Sequence, residues 1–365
     1  MNQPYYLNHI YIKSFRGLNE LKMNSFAPVN LILGENNCGK TSFLEAVYFS
    51  ACEKFNDLRY FVRLRHERPD ADDIYYIYSR NDKNIDIDYD TTAGPISIKS
   101  HIKRNKIFFD KEIFLDGLDD SNISKKRIEE YINFARLNGK ETNQFVGEYH
   151  YNNNNEKFSY IPFDFRFQSF FRHRYSKKVV YVSPYQHFNI SNLNLEQIIK
   201  NEDYYKLFIQ LLKMFDEEIE GILYLPGDDM FSSAELHIKH KGLEPEPVSL
   251  YGDGIKKAIA LAYSLLFAKN GILLIDELET SLHHSFLNDI FAFLLEAAKH
   301  FNIQVFITTH SEETVDELLK IGNEINRGFI KSYTLKKHEG KVYARDLSSE
   351  EAIKLRETID YDIRG

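Results

Sequence analysis

Three nearly apolar runs lie far apart in the chain, at 29–33, 271–275 and 303–307. Runs of this length without polar alternation are typical of strands that are buried on both faces of a parallel sheet. A helical pattern follows the first run, with apolar side chains at Phe43, Leu44, Val47, Tyr48 and Ala51. The sequence therefore predicts a strand, loop and helix near residue 40 and two further core strands late in the chain.

The middle of the chain has a different pattern. Apolar and polar residues alternate with period two over 84–90 and 96–103, which predicts half-exposed antiparallel strands. Residues 179–182 are typical of another core strand, and 195–220 have the spacing of one or two amphipathic helices. Towards the C-terminal end, the pattern predicts a helix, a hairpin around 333–343 and a closing helix.

Composition narrows the class of protein. The chain has 365 residues, of which 43% are hydrophobic and 27% are charged, as in ordinary globular proteins. It contains no apolar run of about 18 residues, which a membrane helix needs, and its first residues lack a signal-peptide pattern. We therefore expect a cytoplasmic protein that does not enter a membrane. The net charge of −8 argues against a bulk nucleic-acid coat, but it allows a local basic patch.

A glycine-rich loop lies between the first apolar run and its helix. It has the pattern G-x-x-x-x-G-K-S/T, which is common in loops that bind phosphate. Glycines let successive N–H groups face an anion, and the following helix presents its positive end. Lys40 would reach the β- and γ-phosphates, and the Thr41 hydroxyl would bind Mg²⁺. The predicted nucleotide-binding residues are Gly34, Glu35, Asn36, Asn37, Cys38, Gly39, Lys40, Thr41 and Ser42.

Cys38 lies inside this loop, where helix-terminal amides and Lys40 could lower the pKa of its thiol. Redox sensitivity is therefore one interpretation of Cys38, and a small residue that fills the loop is the favoured one. Because the chain contains only Cys38 and Cys52, a disulfide framework is excluded.

The second and third apolar runs end in residues that can act on a phosphate. Asp276 and Glu277 follow the second run, and parallel sheets present functional side chains at this edge. We expect Asp276 to hold Mg²⁺ through water and Glu277 to orient and deprotonate the attacking water. His310 follows the third run, and we interpret it as a γ-phosphate contact, with a structural histidine as the alternative. Lys40, Glu277 and His310 are thus the predicted catalytic residues.

The opening IYIKSFRGLNE and the segment VSLYGDGIKKAIALAYSLLFA add to these motifs. Together they resemble the ABC-type ATPases of the branch that holds RecF, SMC heads and the overcoming-lysogenisation-defect (OLD) nucleases. The resemblance covers 1–55 and 245–315, and it implies that Arg16 lies near the nucleotide and that Gln186 senses Mg²⁺.

The same resemblance implies a signature segment that binds the γ-phosphate of the opposite protomer. Tyr251 stands where the usual signature has serine, so it is open whether Ser249 or Tyr251 serves that role. The candidates for phosphate contacts are Ser249, Gly252, Asp253, Gly254 and Lys256.

The implied fold is α/β, a P-loop NTPase with an ABC-type ATPase head, an antiparallel β-subdomain and a helical subdomain. The head is expected over 1–188 and 246–365, with the β-subdomain at 56–178 and the helical insert over 189–245. ATP and Mg²⁺ are the implied substrate and cofactor. The resemblance further implies a homodimer or higher homo-oligomer that forms through shared nucleotides.

Within this branch, the segment LLIDELETSLHHS is most similar to stand-alone OLD-like ATPases of bacterial defence loci. The residues after His310 are too few for a nuclease domain, so we expect the effector to be a separate protein. The resemblance therefore implies a sensor or clamp ATPase that regulates a nuclease or toxin encoded nearby, in anti-phage defence or DNA repair. The runner-up is a RecF-like DNA-binding repair ATPase, and a transporter subunit is the least favoured reading.

Two basic stretches, 99–106 and 172–178, lie beside aromatic residues in a chain that has 28 Phe, 24 Tyr and no Trp. Basic groups can meet phosphates and aromatic rings can stack on bases, so these stretches could form a DNA groove. A solvated strand edge beside core aromatics is the favoured interpretation of each. DNA therefore stays a candidate partner.

The DNA interpretation predicts that the paired changes Arg172→Glu and Arg174→Glu weaken binding to duplex DNA and lower its salt slope by about 2, because two phosphate contacts are lost. Nucleotide binding should be unchanged, since neither residue belongs to the phosphate loop. Fluorescence anisotropy with labelled DNA and with a labelled ATP analogue measures both affinities. Unchanged DNA affinity would contradict the groove.

Overall fold

The computed structural model describes residues 6–51, 78, 83–106, 141–151, 154–160, 179–184, 193, 195–225, 235–280, 287–325 and 328–359, and elements are numbered over these residues. The strands are β1 Leu7–Phe15, β2 Leu18–Asn24, β3 Val29–Gly34, β4 Asn84–Thr91, β5 Gly94–Lys106, β6 Glu141–Tyr151, β7 Asn154–Tyr160, β8 Val179–Val182, β9 Ile219–Leu225, β10 Glu235–His240, β11 Glu246–Pro247, β12 Ile272–Ile275, β13 Gln304–Thr308, β14 Ile330–His338 and β15 Lys341–Ser348. The helices are α1 Lys40–Phe49, α2 Glu196–Ile199, α3 Glu202–Phe215, α4 Asp253–Phe267, α5 Leu287–His300, α6 Glu312–Ile325 and α7 Ser349–Ile359, and a 3₁₀ turn spans Val248–Leu250. None of the helices in these ranges has both the length and the apolar character needed to cross a bilayer.

A six-stranded sheet, in the order β15-β14-β3-β13-β12-β8, carries the predicted core strands. The five strands from β14 to β8 are parallel, and β15 pairs antiparallel with β14 at one edge. Every residue of β3, β12 and β13 is buried, which explains why their sequences are nearly uniform apolar runs. The prediction of a parallel sheet is confirmed.

This sheet separates two hydrophobic cores, because successive side chains of a strand point to opposite faces. Leu31 and Leu33 of β3 pack into a core that includes residues of α4, α5 and α6. Ile32, which lies between them, packs into a second core that includes residues of α1, β1 and β4. Helix α1 therefore lies between the parallel sheet and the N-terminal strands.

A second six-stranded sheet, in the order β2-β1-β4-β5-β6-β7, is antiparallel throughout. Buried and half-exposed residues alternate along β4, so the period-two prediction is confirmed. Asp86 and Asp88 on the outer face form ion pairs with Lys13 of β1. The basic stretch 99–106 lies within β5, and the stretch 172–178 lies outside the described residues.

Aromatic rings join the connection between β2 and β3 to the parallel sheet, and one buried amide joins β1 to β13. The ring of Phe26 lies 5.0 Å from that of Phe306 in β13 and 5.3 Å from that of Tyr333 in β14. The Gln304 side chain accepts the N–H of Leu7 at 2.8 Å and donates to the Leu7 carbonyl at 3.0 Å. Part of the aromatic surplus thus packs the segment before β3 onto the parallel sheet.

The sequence predicts a helical subdomain over 189–245, and the structure differs in the second half of that segment. Helices α2 and α3 are present, but β9 and β10 follow them and pair with β11 in a small antiparallel sheet. Leu236 and Ile238 are buried between more exposed neighbours along β10. The alternation in ELHIKH is the signal for a strand that the helical prediction overlooks.

Candidate functional site

The phosphate-loop motif forms a tight turn between β3 and α1. Gly34 and Gly39 adopt φ angles of 141° and 107°, and Asn37 adopts 62°. Glycine adopts such angles readily, and asparagine tolerates the left-handed region better than most residues. A Cβ at Gly34 would lie 2.5 Å from the carbonyl oxygen of Leu335, and one at Gly39 would lie 2.5 Å from Leu18. Only glycine therefore fits at these two positions without a shift of the neighbours.

Lys40 begins α1 and is almost fully buried, at 6% exposed. Its ammonium group donates hydrogen bonds to the carbonyl oxygens of Gly34 at 2.7 Å and Glu35 at 3.0 Å. It also lies 3.4 Å from Nδ1 of His310. Burial lowers the pKa of Lys40. The loop thus closes around an ammonium group that also faces the segment after β13.

Asp276 follows β12 and is only 3% exposed. Its Oδ1 accepts hydrogen bonds from the hydroxyls of Thr308 at 2.6 Å and Thr41 at 3.2 Å. Its Oδ2 accepts one from the Tyr181 hydroxyl at 2.9 Å. A buried carboxylate without such donors would be costly. One carboxylate therefore joins the start of α1 to strands β8 and β13.

Glu277 and His310 face each other at the same edge of the sheet. Oε1 of Glu277 lies 3.9 Å from Nε2 of His310, and both side chains are more than a third exposed. Glu277 has a left-handed backbone, with φ of 51°, which is uncommon for a non-glycine residue. Its N–H donates to the Thr308 hydroxyl at 2.8 Å, and Thr280 donates to its carboxylate at 3.2 Å. The turn after β12 thus leaves the Glu277 carboxylate accessible beside the imidazole.

The signature segment lies at the start of α4. Gly252 precedes this helix and Asp253 begins it, and both are exposed. The Ser249 hydroxyl donates to the Glu235 carboxylate at 3.1 Å, and its carbonyl accepts from Lys256 at 3.4 Å. The Ser249 hydroxyl is therefore engaged with β10.

Tyr251 is engaged in a different way. Its hydroxyl lies 2.9 Å from Nδ1 of His240, and the two rings stack with centroids 5.6 Å apart. Nε2 of His240 lies 3.1 Å from the Asp216 carboxylate. A carboxylate, an imidazole and a phenol thus connect the end of α3 to the signature segment through β10.

Arg16 contacts the helix that follows the phosphate loop. Its Nε lies 2.8 Å from the carboxylate of Glu45 in α1, which is fully buried. This places Arg16 against α1, and its position near the nucleotide stays a prediction. Gln186 lies outside the described residues.

Cys38 is buried in the turn of the phosphate loop. Burial raises the pKa of its thiol, and this outweighs the opposing effect of the Lys40 charge. A thiol with a raised pKa is a poor nucleophile at neutral pH. The structure therefore favours the loop-filling interpretation of Cys38 over redox sensitivity.

Four residues at this edge are missed by sequence reasoning. Thr308 and Tyr181 bind Asp276, and Glu279 accepts the N–H of His310 at 2.7 Å. Lys257 is fully buried in α4, where burial lowers its pKa to about 8. A lysine within the apolar run KAIALAYSLL was a visible signal, whereas the threonine and the tyrosine are ordinary residues of buried strands.

The phosphate loop and the oxygens of Thr41 and Asp276 fit a nucleoside triphosphate and a magnesium ion. Thr41 and Asp276 present oxygens 3.2 Å apart, and Mg²⁺ in phosphoryl-transfer sites uses one or two such protein oxygens together with phosphates. In the part of the chain that the structure describes, no three His, Cys, Asp or Glu side chains are grouped as metal ligands. Thr41 and Asp276 are therefore the residues at this edge that would hold the ion.

Fold and site together define a P-loop ATPase with an ABC-type head. A phosphate loop follows β3, two carboxylates follow β12, and a histidine segment follows the strand between them. Residues 29–316 match the family described as "AAA domain, putative AbiEii toxin, Type IV TA system". This match spans most of the chain, and the chain belongs to that family.

Known proteins agree with this class. The chain is 23% identical over 343 residues to an "ATP/GTP phosphatase" of Helicobacter pylori, which covers 87% of this chain and 89% of that protein. It is 29% identical over 112 residues to the "DNA replication and repair protein RecF" of Streptococcus gordonii, which covers 28% of each chain. The fold is similar to an SMC head solved in complex with the C-winged helix domain of ScpA, with a TM-score of 0.51, 14% identity, and 95% and 99% of the two chains covered. The predicted fold class is confirmed.

The hydroxyl of Thr308 bridges Asp276 and the N–H of Glu277, so its removal should disturb both carboxylates. We expect Thr308→Val to lower the rate of ATP hydrolysis by about 10- to 100-fold, as is typical when the partner of a metal-site carboxylate is lost. Phosphate release at saturating MgATP measures the effect. Thr91→Val is the matched control, because this buried hydroxyl donates to Gly94 in the antiparallel sheet. Equal losses in both variants would contradict the assignment.

Proposed function

We propose that this chain is a nucleotide-dependent, dimeric sensor or clamp ATPase of the OLD-like branch, which regulates a partner effector in bacterial anti-phage defence or DNA repair. The convergence of Lys40, Thr41, Asp276, Glu277 and His310 at one edge of the parallel sheet carries the ATPase part. They come from distant segments, yet contacts of 3.2 to 3.9 Å link Thr41 to Asp276, Lys40 to His310 and His310 to Glu277. The family and the phosphatase relative support nucleotide hydrolysis.

Each residue has a role that its contacts allow. The N–H groups of the loop and the Lys40 ammonium group neutralise the β- and γ-phosphates. The exposed carboxylate of Glu277 orients the attacking water and accepts its proton. His310, beside both Lys40 and Glu277, donates a hydrogen bond to the γ-phosphate. Thr41 and Asp276 are the residues that would hold Mg²⁺, and the ion would supply further positive charge to the site.

The dimer would form head to tail, with the signature segment of one protomer at the nucleotide of the other. Leu250, beside this segment, is 73% exposed and offers an apolar contact. The hydroxyls of Ser249 and Tyr251 are both engaged within the protomer. The amide groups of Gly252 to Gly254 are therefore the favoured phosphate donors, because a helix N-terminus attracts anions.

A protein partner is favoured over DNA as the regulated component. The net charge of −8 disfavours broad contact with nucleic acid, and the LETSLHHS segment resembles the defence ATPases. The similar SMC head was solved with a bound protein domain, which supports a head of this fold as a docking platform. The RecF relative favours the second candidate, a DNA-binding repair ATPase.

The Glu277→Gln variant should bind ATP but hydrolyse it at least about 100-fold more slowly, because the general base is removed. It should also accumulate as an ATP-bound dimer, which light scattering after size exclusion detects as a doubled mass with ATP and not with ADP. Glu339→Gln, at an exposed hairpin tip, is the control. Normal hydrolysis by Glu277→Gln would contradict the base assignment, and a monomer with ATP would contradict the sandwich.

The two candidate functions differ in the partner that binds the ATP-bound dimer, which is a protein in the first and DNA in the second. We expect the Glu277→Gln dimer to co-purify with the product of the adjacent gene, and we expect duplex DNA to leave the ATPase rate of the unchanged protein within about twofold. A RecF-like function would instead give stimulation by DNA without a protein partner. Nuclease or toxic activity of this chain by itself would refute a separate effector.

A further inference from the structure

Lys257 is a buried lysine for which the proposed chemistry has no role. It lies in the second turn of α4, directly after Lys256, and none of its surface is exposed. Among the described residues, its Nζ has no hydrogen-bond partner. An ammonium group in such a place costs free energy unless a nearby charge compensates for it. The charge that compensates Lys257 therefore lies beyond hydrogen-bond distance.

The turn after β12 provides that charge. Oε2 of Glu279 is also buried and has no hydrogen-bond partner among the described residues. Burial lowers the pKa of Lys257, and the nearby charges of Glu279, Asp276 and Glu277 oppose this shift. Two unsatisfied buried atoms of opposite charge thus lie on the signature helix and on the turn that carries the hydrolytic carboxylates.

Glu279 connects this pair to the histidine segment. Its other oxygen, Oε1, accepts the N–H of His310 at 2.7 Å. The imidazole of His310 in turn lies 3.4 Å from Nζ of Lys40 and 3.9 Å from Oε1 of Glu277. A displacement of Glu279 would therefore move the backbone of His310, whose imidazole lies beside Lys40 and Glu277.

We propose that Lys257 is a positioning residue that couples the signature helix α4 to His310 through Glu279. The inference rests on the proposed function, in which the start of α4 meets the nucleotide of the opposite protomer. When α4 shifts on closure of the dimer, the ammonium group of Lys257 shifts relative to Glu279, and the His310 segment follows. When α4 of one protomer contacts the nucleotide bound by the other, the positions of Glu277 and His310 in the first protomer change.

The first experiment is a double-mutant cycle on the nucleotide-free protein, with Lys257→Met, Glu279→Gln and both together. The measured quantity is the urea midpoint of unfolding. Glu279→Gln should lower this midpoint in the unchanged protein, because it removes one of the charges that compensate the lysine, and should lower it much less in the Lys257→Met background. Equal effects in both backgrounds would overturn the pair. A Lys257→Met protein that folds only with Glu279→Gln supports the pair, and one that folds in neither background overturns it.

The second experiment separates positioning from binding. Lys257→Met should lower kcat for ATP by about tenfold or more while the Kd for a labelled ATP analogue changes by less than about threefold, as expected of a group that orients others. Lys257→Arg should restore part of kcat. Adding Glu279→Gln to Lys257→Met should lower kcat no further. Parallel losses of kcat and affinity, or additive losses of kcat, would overturn the proposal.

Lys206→Met is the matched control, because Lys206 pairs with Glu202 on the exposed face of α3. It should leave kcat and Kd unchanged, and its cycle with Glu202→Gln should show little coupling, because the pair is exposed to solvent. If the unchanged protein hydrolyses no ATP, the proposed function fails, while the unfolding cycle still decides whether Lys257 and Glu279 are coupled. If hydrolysis is normal and the cycle shows no coupling, the positioning role alone fails.

Discussion

The buried carboxylate of Asp276 is the interaction on which the candidate site depends. An ionised carboxylate at this depth is stable only with donors, and the hydroxyls of Thr41, Tyr181 and Thr308 provide them. Because these hydroxyls belong to α1, β8 and β13, compensating one charge fixes the relative positions of segments that are far apart in the chain. Thr308 also holds the N–H of Glu277, so the position of the exposed carboxylate depends on the buried one.

Sequence reasoning succeeds where structure is specified locally. Uninterrupted apolar runs identify β3, β12 and β13, since strands buried on both faces have no polar positions. The glycines of the phosphate loop are recognisable because their backbone angles and close neighbours exclude other residues. The sequence also predicts that Asp276, Glu277 and His310 lie close together, because parallel strands end at one edge of a sheet. The alternation in β4 likewise specifies its own strand.

Other features escape prediction because they depend on partners distant in sequence. Tyr181 and Thr308 are unremarkable in buried strands until Asp276 is placed between them. The Tyr251 hydroxyl is engaged because His240 lies beside it. His240 ends β10, a strand that the helical prediction for 189–245 overlooks. Lys257 stands next to Lys256 at a helix start, which suggests a solvated face, and only the apolar residues that follow it in the sequence indicate its burial. The residues that position other side chains are thus identified only from the three-dimensional structure, whereas those that act on the phosphate are visible in the sequence.

The place of β3 in its sheet also affects how the chain is made. Both neighbours of β3, namely β13 and β14, begin at residues 304 and 330, long after β3 ends at residue 34. At roughly 5 to 20 residues per second, synthesis leaves both edges of this apolar strand unpaired for about 15 to 55 seconds. An unpaired apolar strand favours aggregation. The nascent chain should therefore depend on chaperones more than a protein whose first strands pair with each other.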